Sequence, residues 1–362
     1  MRDFSIDRKH FFSYSLQASE QFHQVQAFSL TNGTQVLVHA PGVIEFIPVS
    51  YRQGVGRHVL YSCGVHGNET APIEICDEIV EAILSKKIII NARFMVQFAN
   101  LPAMQSAQRF IQENMNRLFS GAHQPQTNNE RQRAEQLEHH TRTFFANAND
   151  KSQCFHYDLH TAIRDAAYPR FAVYPYLHDK TYSYSQLEWL AQAGIDAVLL
   201  SESPTTTYSY YSSHDCGVHS FTVELGKVKP FGENNMADFA LARSALFRLI
   251  LPIDQAQPFA EAVFEERVKQ PQIPVLFRIS QSIVRSEADF KLHFSDDTPN
   301  FTMFQQGAVL ASEYNIEGQC VNIFTAQQEQ EAVVFPNANV AIGQRALLTV
   351  VPISIKDINV DV

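Results

Sequence analysis

The chain has 362 residues, 45% hydrophobic and 18% charged, with 28 Lys and Arg against 38 Asp and Glu for a formal charge of −10. That length allows two domains, the apolar share excludes a mainly disordered chain, and an acidic balance without a basic block argues against nucleic-acid binding, which needs phosphate neutralisation. An anionic substrate therefore requires a local cluster of Arg or Lys.

The first residues, MRDFSIDRKHFFSYSL, mix charge with aromatics and lack an apolar core of signal-peptide length before a small-residue cleavage site. No apolar run approaches the ~18 residues of a membrane span. The five cysteines (Cys63, Cys76, Cys154, Cys216, Cys320) are widely spaced, odd in number and form no CxxC pair. Reduced, mostly buried thiols in a cytoplasmic protein are expected, and the sequons at Asn32, Asn68 and Asn300 then carry no meaning.

Residues 30–49, LTNGTQVLVHAPGVIEFIPV, alternate around Asn32-Gly33 and Pro41-Gly42 and predict strand, turn, strand. From residue 57 short apolar runs, at 58–63, 88–99, 154–159, 196–200 and 220–225, alternate with helical patterns. The first helix is APIEICDEIVEAILSKK, where Ile73, Cys76, Ile79 and Ile83 recur every three to four residues. NERQRAEQLEHHTRTFF repeats the pattern through Ala134, Leu137, Thr141 and Phe144. Ser185 to Gly194 is a third helix, and MADFALARSALFRLI a fourth, to about Leu251. Strands alternating with helices predict an α/β domain with a largely parallel or mixed sheet. The segment LPIDQAQPFAEAVFEERVKQPQIP marks a domain boundary, dividing residues 1–255 from 256–362. From Val275 onward short alternating strands with turn residues predict a small β domain.

The sharpest local feature is Gly64-Val65-His66-Gly67-Asn68-Glu69. A His and a Glu three apart at a strand end can point into one space, two glycines allow the tight path, and Pro72 suits the first turn of the helix that follows. Both side chains are good Zn²⁺ donors, and catalytic zinc often takes two His and a Glu with an open water position; the plainer reading is a polar loop before a helix. A third ligand is sought at another strand end, and Asp158-Leu159-His160-Thr161 supplies one, with Asp158 placed to orient a ligand. His160 also reads as a hydrogen-bonded core histidine. His156, four residues earlier on the same strand face, is the decoy, and His139 and His140 fall in a charged helix and are expected to be solvated. Asn116 and Arg117 adjoin, with Arg109 upstream; Arg holds a carboxylate bidentately, although composition alone reads these as surface arginines. Finally, SFTVE delivers Glu224 to a strand end, where a Glu near a metal site can serve as general base and then acid, or simply pair with Lys227. Gly54-Val55-Gly56 lacks the third glycine of a dinucleotide fingerprint, Leu225-Gly226-Lys227-Val228 lacks the Walker hydroxyl, and no GxSxG elbow occurs.

In order and spacing, HGNE, NRLF, DLHTAIR about ninety residues after HGNE, VELGK about sixty further on and the late PNANVAIGQRA resemble the succinylglutamate desuccinylase and aspartoacylase family. This is a branch of the zinc-carboxypeptidase-like hydrolases, and the resemblance runs from about residue 55 to 355 and favours the desuccinylase side. It implies an α/β, zinc-carboxypeptidase-like mixed sheet with flanking helices, plus a smaller C-terminal β-rich domain. It also implies His66, Glu69 and His160 as ligands of one Zn²⁺, Glu224 as the catalytic acid/base, and Arg109, Asn116 and Arg117 as holders of substrate carboxylates and carbonyl. Arg164, within DLHTAIR, is a further substrate candidate, and Arg170 another. Asn114 stands where the family usually has Asp, and the C-terminal tyrosine of aspartoacylase has no counterpart. The implied activity is hydrolysis of N-succinyl-L-glutamate to succinate and L-glutamate, the final step of arginine breakdown through succinylated intermediates. The partner is then a small anionic acyl amino acid, with no nucleic acid and no membrane; oligomeric state has no signal in the sequence. Rival readings are a deacylase for another N-acyl amino acid such as N-acetylaspartate, a zinc carboxypeptidase, and an inactive zinc-site binding module. Glu224 together with the arginines argues against the last, since a purely structural site needs neither.

Overall fold

The computed structural model describes residues 10–17, 24–178, 181–256 and 273–361. The strands before the expected boundary are β1 (Gln26–Ser29), β2 (Gln35–Ala40), β3 (Val43–Ile47), β4 (His58–Cys63), β5 (Arg93–Phe98), β6 (Cys154–Ala162), β7 (Phe171–Tyr174), β8 (Ala197–Leu200) and β9 (His219–Lys227). Those after it are β10 (Val275–Val284), β11 (Asp289–Leu292), β12 (Thr302–Phe304), β13 (Val309–Tyr314), β14 (Cys320–Thr325), β15 (Glu331–Val334) and β16 (Arg345–Ile353). The helices that matter below are α1 (Phe11–Gln17), α2 (Thr70–Leu84), α3 (Leu101–Gln105), α4 (Asn129–Ala146), α5 (Tyr184–Gln192), α6 (Tyr208–Cys216) and α7 (Ala240–Ile250).

Among the described residues thirteen strands form one sheet in the order β1-β2-β3-β5-β4-β6-β9-β7-β8-β10-β16-β15-β12, and β11, β13 and β14 form a second. Pairing is parallel through β5-β4-β6-β9 and again through β7-β8-β10, while β7 runs antiparallel to β9. The architecture is the expected mixed α/β sheet with flanking helices, and its C-terminal part is β-rich. Strands β10, β16, β15 and β12 continue the main sheet. The central strands are buried on both faces, which is why they read as near-continuous apolar runs.

Side-chain alternation gives the sheet two faces. On one, Tyr61 and Cys63 of β4, Phe94 and Phe98 of β5, Tyr157 and Leu159 of β6 and Phe221 and Val223 of β9 pack against Ile73, Ile79 and Ile83 of α2 and Leu246 and Ile250 of α7. The stripe read from the α2 sequence is the face that makes this contact. The other carries Leu60 and Met95 against Leu137 and Phe144 of α4 and Tyr208 and Tyr211 of α6. Alternation thus sends Ser62, His156, Asp158, His160, Ser220 and Glu224, all buried, to the α4–α6 side.

Some elements differ from expectation. The apolar run from residue 88 becomes a strand only at Arg93; Ile88 and Ile90 fill the core from the preceding loop. β7 and α6 were not predicted. TYSYYSSHDC carries no helical period, yet Thr207 caps the Tyr210 N–H and Gly217, at φ +69°, ends the helix in the left-handed conformation. Burial of Tyr208 and Tyr211 overrides their weak helix propensity. Residues 257–272, most of the expected boundary segment, lie outside the described residues, as do residues 1–9; we retain the division after residue 255 as a proposal. A core of Ala162, Phe171, Leu199, Phe277, Phe301, Val334 and Leu348 joins residues from either side of it. All five cysteines are free, and Cys63, Cys76 and Cys154 are buried. No described helix is long and apolar enough to cross a membrane.

Candidate active site

The site forms where β4, β6 and β9 end, the usual place for ligands in open α/β sheets. After β4, Gly64 turns the chain at φ +62°. Gly67 lets α3 pack directly on the loop: a Cβ there would stand 2.2 Å from the Ala103 carbonyl carbon and 2.3 Å from the Met104 nitrogen. Glu69 occupies the N-cap of α2 but makes no side-chain capping bond. Its carboxylate turns instead toward two histidines, with Oε1 2.9 Å from His66 Nδ1 and Oε2 2.9 Å from His160 Nδ1. Thr161 N–H donates to Oε2 at 3.1 Å and Arg109 Nη1 to Oε1 at 2.7 Å. His66, Glu69 and His160 are buried, and one ligand atom from each lies within 4.8 Å of the others.

The far side of each ring decides what the near side offers. His66 Nε2 lies 2.9 Å from Asn114 Oδ1, an oxygen that also accepts the Asn116 N–H at 3.0 Å. His160 Nε2 lies 2.9 Å from Asp158 Oδ2, and Asp158 Oδ1 accepts from Ser62 Oγ at 2.5 Å. With the outer nitrogens donating to oxygens, both Nδ1 atoms present lone pairs to the Glu69 carboxylate. Such a group repels itself unless a cation sits within it. Burial and the Arg109 guanidinium draw His66 down to about 4, so it is neutral at pH 7. Burial also works against charge on His160, but the Asp158 and Glu69 carboxylates outweigh it and hold that ring well above the usual range. Burial would raise Glu69, yet His66 and His160 pull it well below. Where no metal is bound, a proton on His160 takes the cation's place. Two nitrogens and a carboxylate with outer partners already set fit a divalent metal.

Glu224 pairs in register with His160 across β6 and β9. It is 7% exposed and its Oε2 makes no hydrogen bond. Burial pushes its carboxyl up to about 7, against the opposing pull of His160. An unpartnered carboxyl poised near neutrality beside a metal-type triad is suited to proton transfer.

Of the other expected residues, Arg109 is bound to Glu69 and Asn116 is buried, its Oδ1 accepting Tyr208 N–H at 3.0 Å so that its NH₂ faces elsewhere. Arg117 Nη1 donates to the Asn116 carbonyl at 2.8 Å. Arg164 is set differently: Nη2 lies 3.9 Å from Asp296 in the C-terminal part, and Nη1 is buried without a partner. Arg170 donates to the Gly194 carbonyl at 2.8 Å and lies 3.5 Å from Asp196, bracing the start of β7. The decoy His156 is a core histidine, 2.8 Å from Ser62 Oγ and 2.6 Å from Ser212 Oγ. His140, expected to be solvated, is half-buried with its ring 5.4 Å from that of His39. A groove of about 770 Å³ runs along α4 between His39, His123, Glu138 and His140 and contains none of the triad. Sequence reasoning missed Ser62 as the support of Asp158, although the register that sets them opposite was foreshadowed by two aligned strand ends. Asn114 stands where the family usually has Asp, and its neutral amide oxygen serves as the acceptor His66 needs.

Sheet, strand-end triad and unpaired buried carboxyl define the class: a hydrolase on a mixed α/β sheet with a candidate metal centre. Two family profiles match, "Succinylglutamate desuccinylase/Aspartoacylase catalytic domain" over residues 55–250 and "AstE/AspA barrel-sandwich hybrid domain" over 272–353. The chain is 44% identical over 346 residues to a succinylglutamate desuccinylase of Pseudoalteromonas atlantica, covering 94% of each. It is 42% identical to that of Shewanella frigidimarina, over 97% of this chain and 98% of that one. The crystal structure of succinylglutamate desuccinylase from Vibrio cholerae superposes with a TM-score of 0.83 at 35% identity, over 96% of each chain. This chain belongs to the succinylglutamate desuccinylase/aspartoacylase family and is an amidohydrolase.

Proposed function

We propose that this chain hydrolyses the amide of N-succinyl-L-glutamate to succinate and L-glutamate, as the last step of arginine catabolism by the succinyltransferase pathway. We place it in the cytoplasm, with one Zn²⁺ held by His66, Glu69 and His160. The observation that carries the reading is the meeting of that triad with an unpaired, near-neutral Glu224 at one strand end, in a chain whose relatives bear the desuccinylase name. When bound, the metal supplies Lewis-acid polarisation of the scissile carbonyl and acidifies a water. Glu224 Oε2 takes the proton of the attacking water and passes it to nitrogen as the C–N bond breaks. The water oxygen thereby joins the acyl carbon and the amine leaves with the proton. Arg117 donates to the oxygen on which charge develops, and the free NH₂ of Asn116 holds a carbonyl or carboxylate beside it. Arg109 keeps Glu69 oriented and turns its remaining donors to the substrate. Arg164, whose buried Nη1 has no partner, is a further holder of a substrate carboxylate. A protein of net charge −10 needs these local cations for a ligand with several carboxylates.

The test is amine release from N-succinylglutamate, N-acetylglutamate and N-acetylaspartate in parallel, with and without a chelator. Fast, chelator-sensitive release from the succinyl compound alone is expected. Release from another member of the panel moves the substrate and keeps the mechanism. No release from any of them by metal-loaded protein would sink the enzymatic reading of the site.

A further inference from the structure

Arg345 opens β16, inside the motif PNANVAIGQRA, and the chemistry above does not use it. Its guanidinium lies over the Phe335 ring, 5.7 Å from the centroid, and it has no carboxylate or hydrogen-bond partner among the described residues. The charge that bears on it is another guanidinium, Arg117, whose own hydrogen bond goes to a backbone carbonyl and which likewise has no carboxylate partner among the described residues. Burial and then the neighbouring Arg117 press Arg345 down to about 9, and burial and then Arg109 press Arg117 down to about 10.

A separate line of contacts ties Arg345 to the site. Glu224 is the register partner of Phe171 across β9 and β7. The Phe171 ring is 5.5 Å from that of Phe335, the ring beneath Arg345. Phe335 is held at φ +54°, with its N–H donating to Oδ1 of the buried Asn300 at 2.8 Å. The Asn300 backbone in turn bonds Asp165 and Ala167, in the loop that follows the strand of His160, at 2.8 and 2.9 Å. Through Phe335 and Phe171 the C-terminal strands thus link Arg345 to the strand that pairs with the strand of Glu224.

Two partly buried guanidinium groups that bear on one another, with no carboxylate partner among the described residues, cost free energy that an anion recovers. We propose that Arg345, set beside Arg117, binds one carboxylate of the acyl amino acid, making the C-terminal strands the source of a specificity-determining residue. This rests on the acyl amino acid reading above.

The experiment compares wild type with Arg345→Met, Arg345→Gln and Arg345→Lys in the full-length, metal-loaded enzyme. Met and Gln keep a packed stem on Phe335 and remove the charge; Lys keeps the charge and removes the fork. Values of kcat and KM are taken for N-succinylglutamate and for three analogues lacking one carboxylate each: N-butyrylglutamate, N-succinylglutamine and N-succinyl-4-aminobutyrate. For N-succinylglutamate, Met and Gln should raise KM on the order of 30-fold with kcat nearly unchanged, and Lys should raise it less. For the one analogue that lacks the carboxylate held by Arg345, wild type and variants should agree. Calorimetric titration of succinate and of glutamate should show one of them bound more weakly by Arg345→Met. An unchanged KM overturns the proposal. So does an equal penalty on all four compounds, which would mean that Arg345 only shapes the cleft. If Met and Gln fail to melt cooperatively, the Lys variant decides, since a KM equal to wild type on every compound rules out the fork. If wild type instead cleaves only a different acyl amino acid, the substrate reading fails by itself, and the same carboxylate-deletion series on that compound still tests Arg345.

Discussion

Replacing Glu224 by Gln should separate catalysis from stability in opposite directions. The side chain is 7% exposed, its Oε2 has no partner, and burial sets its carboxyl at about 7 against an ordinary value of 4.5. As a base it is worth roughly 10²–10⁴ in rate, so Glu224→Gln should lower kcat by that factor. Glu224 is not one of the three clustered donors, so the metal should stay. The raised carboxyl also has a folding cost. Because the folded value lies above the unfolded one, that cost is absent below pH 4.5, grows as pH rises, and is fully developed above 7. In metal-free protein it comes to on the order of 3 kcal/mol at pH 7 and under about 1 kcal/mol at pH 5. The Gln amide also has to find partners, so the recovered stability is at most that. The assay is turnover and metal content of the loaded enzyme, with urea melts of stripped protein at the two pH values. Near-normal turnover would remove Glu224 as the base. Loss of metal with turnover would make it a ligand. An equal stability change at both pH values would refute the argument from burial.

Three further outcomes are expected. Asp158→Asn, by weakening the support of His160 Nε2, should reduce metal affinity about 10- to 100-fold in chelator competition; an unchanged affinity would mean that Asp158 does not orient the ligand. His156 is drawn down to about 4 by burial, from an ordinary 6.5. Its folded value lies below the unfolded one, so this stability is present above pH 6.5 and is lost, by about 3 kcal/mol, as pH falls toward 4. Urea midpoints for wild type should drop through that window, and those of His156→Gln should drop less. Gly67→Ala puts a Cβ 2.2 Å from the backbone of α3, which must shift, so metal affinity and melting temperature should both fall; a variant matching wild type in both would mean that the loop is slack.

Several parts of this protein were readable from one sequence because their signals are local. HVLYSC before HGNE, and CFHYDL before HTA, are apolar runs ending in polar residues, and the observed strands β4 and β6 begin on the expected residues, His58 and Cys154. The α2 and α4 periods reflect one buried face each. α6 escaped notice because tyrosine and serine form a helix there only through a Thr207 cap, a glycine stop and burial against α4. Arg345 escaped because its neighbour Arg117 is more than two hundred residues away in the chain.

The sequence by itself determined which donors exist and that they sit at strand ends, since residue type and apolar period are properties of short segments. It set His160 as the ligand and His156 as the decoy by position along the strand, but alternation puts both on one face of β6 and nothing local says what holds either ring. The tertiary structure decided that: interstrand hydrogen bonding sets β6 against β4 and β9, placing His160 opposite Glu224 and Asp158 opposite Ser62. Burial, the unpaired state of Glu224 Oε2 and the nitrogen each histidine offers follow from that register. They depend on distances between segments remote in the chain, and those distances are fixed only when the sheet closes.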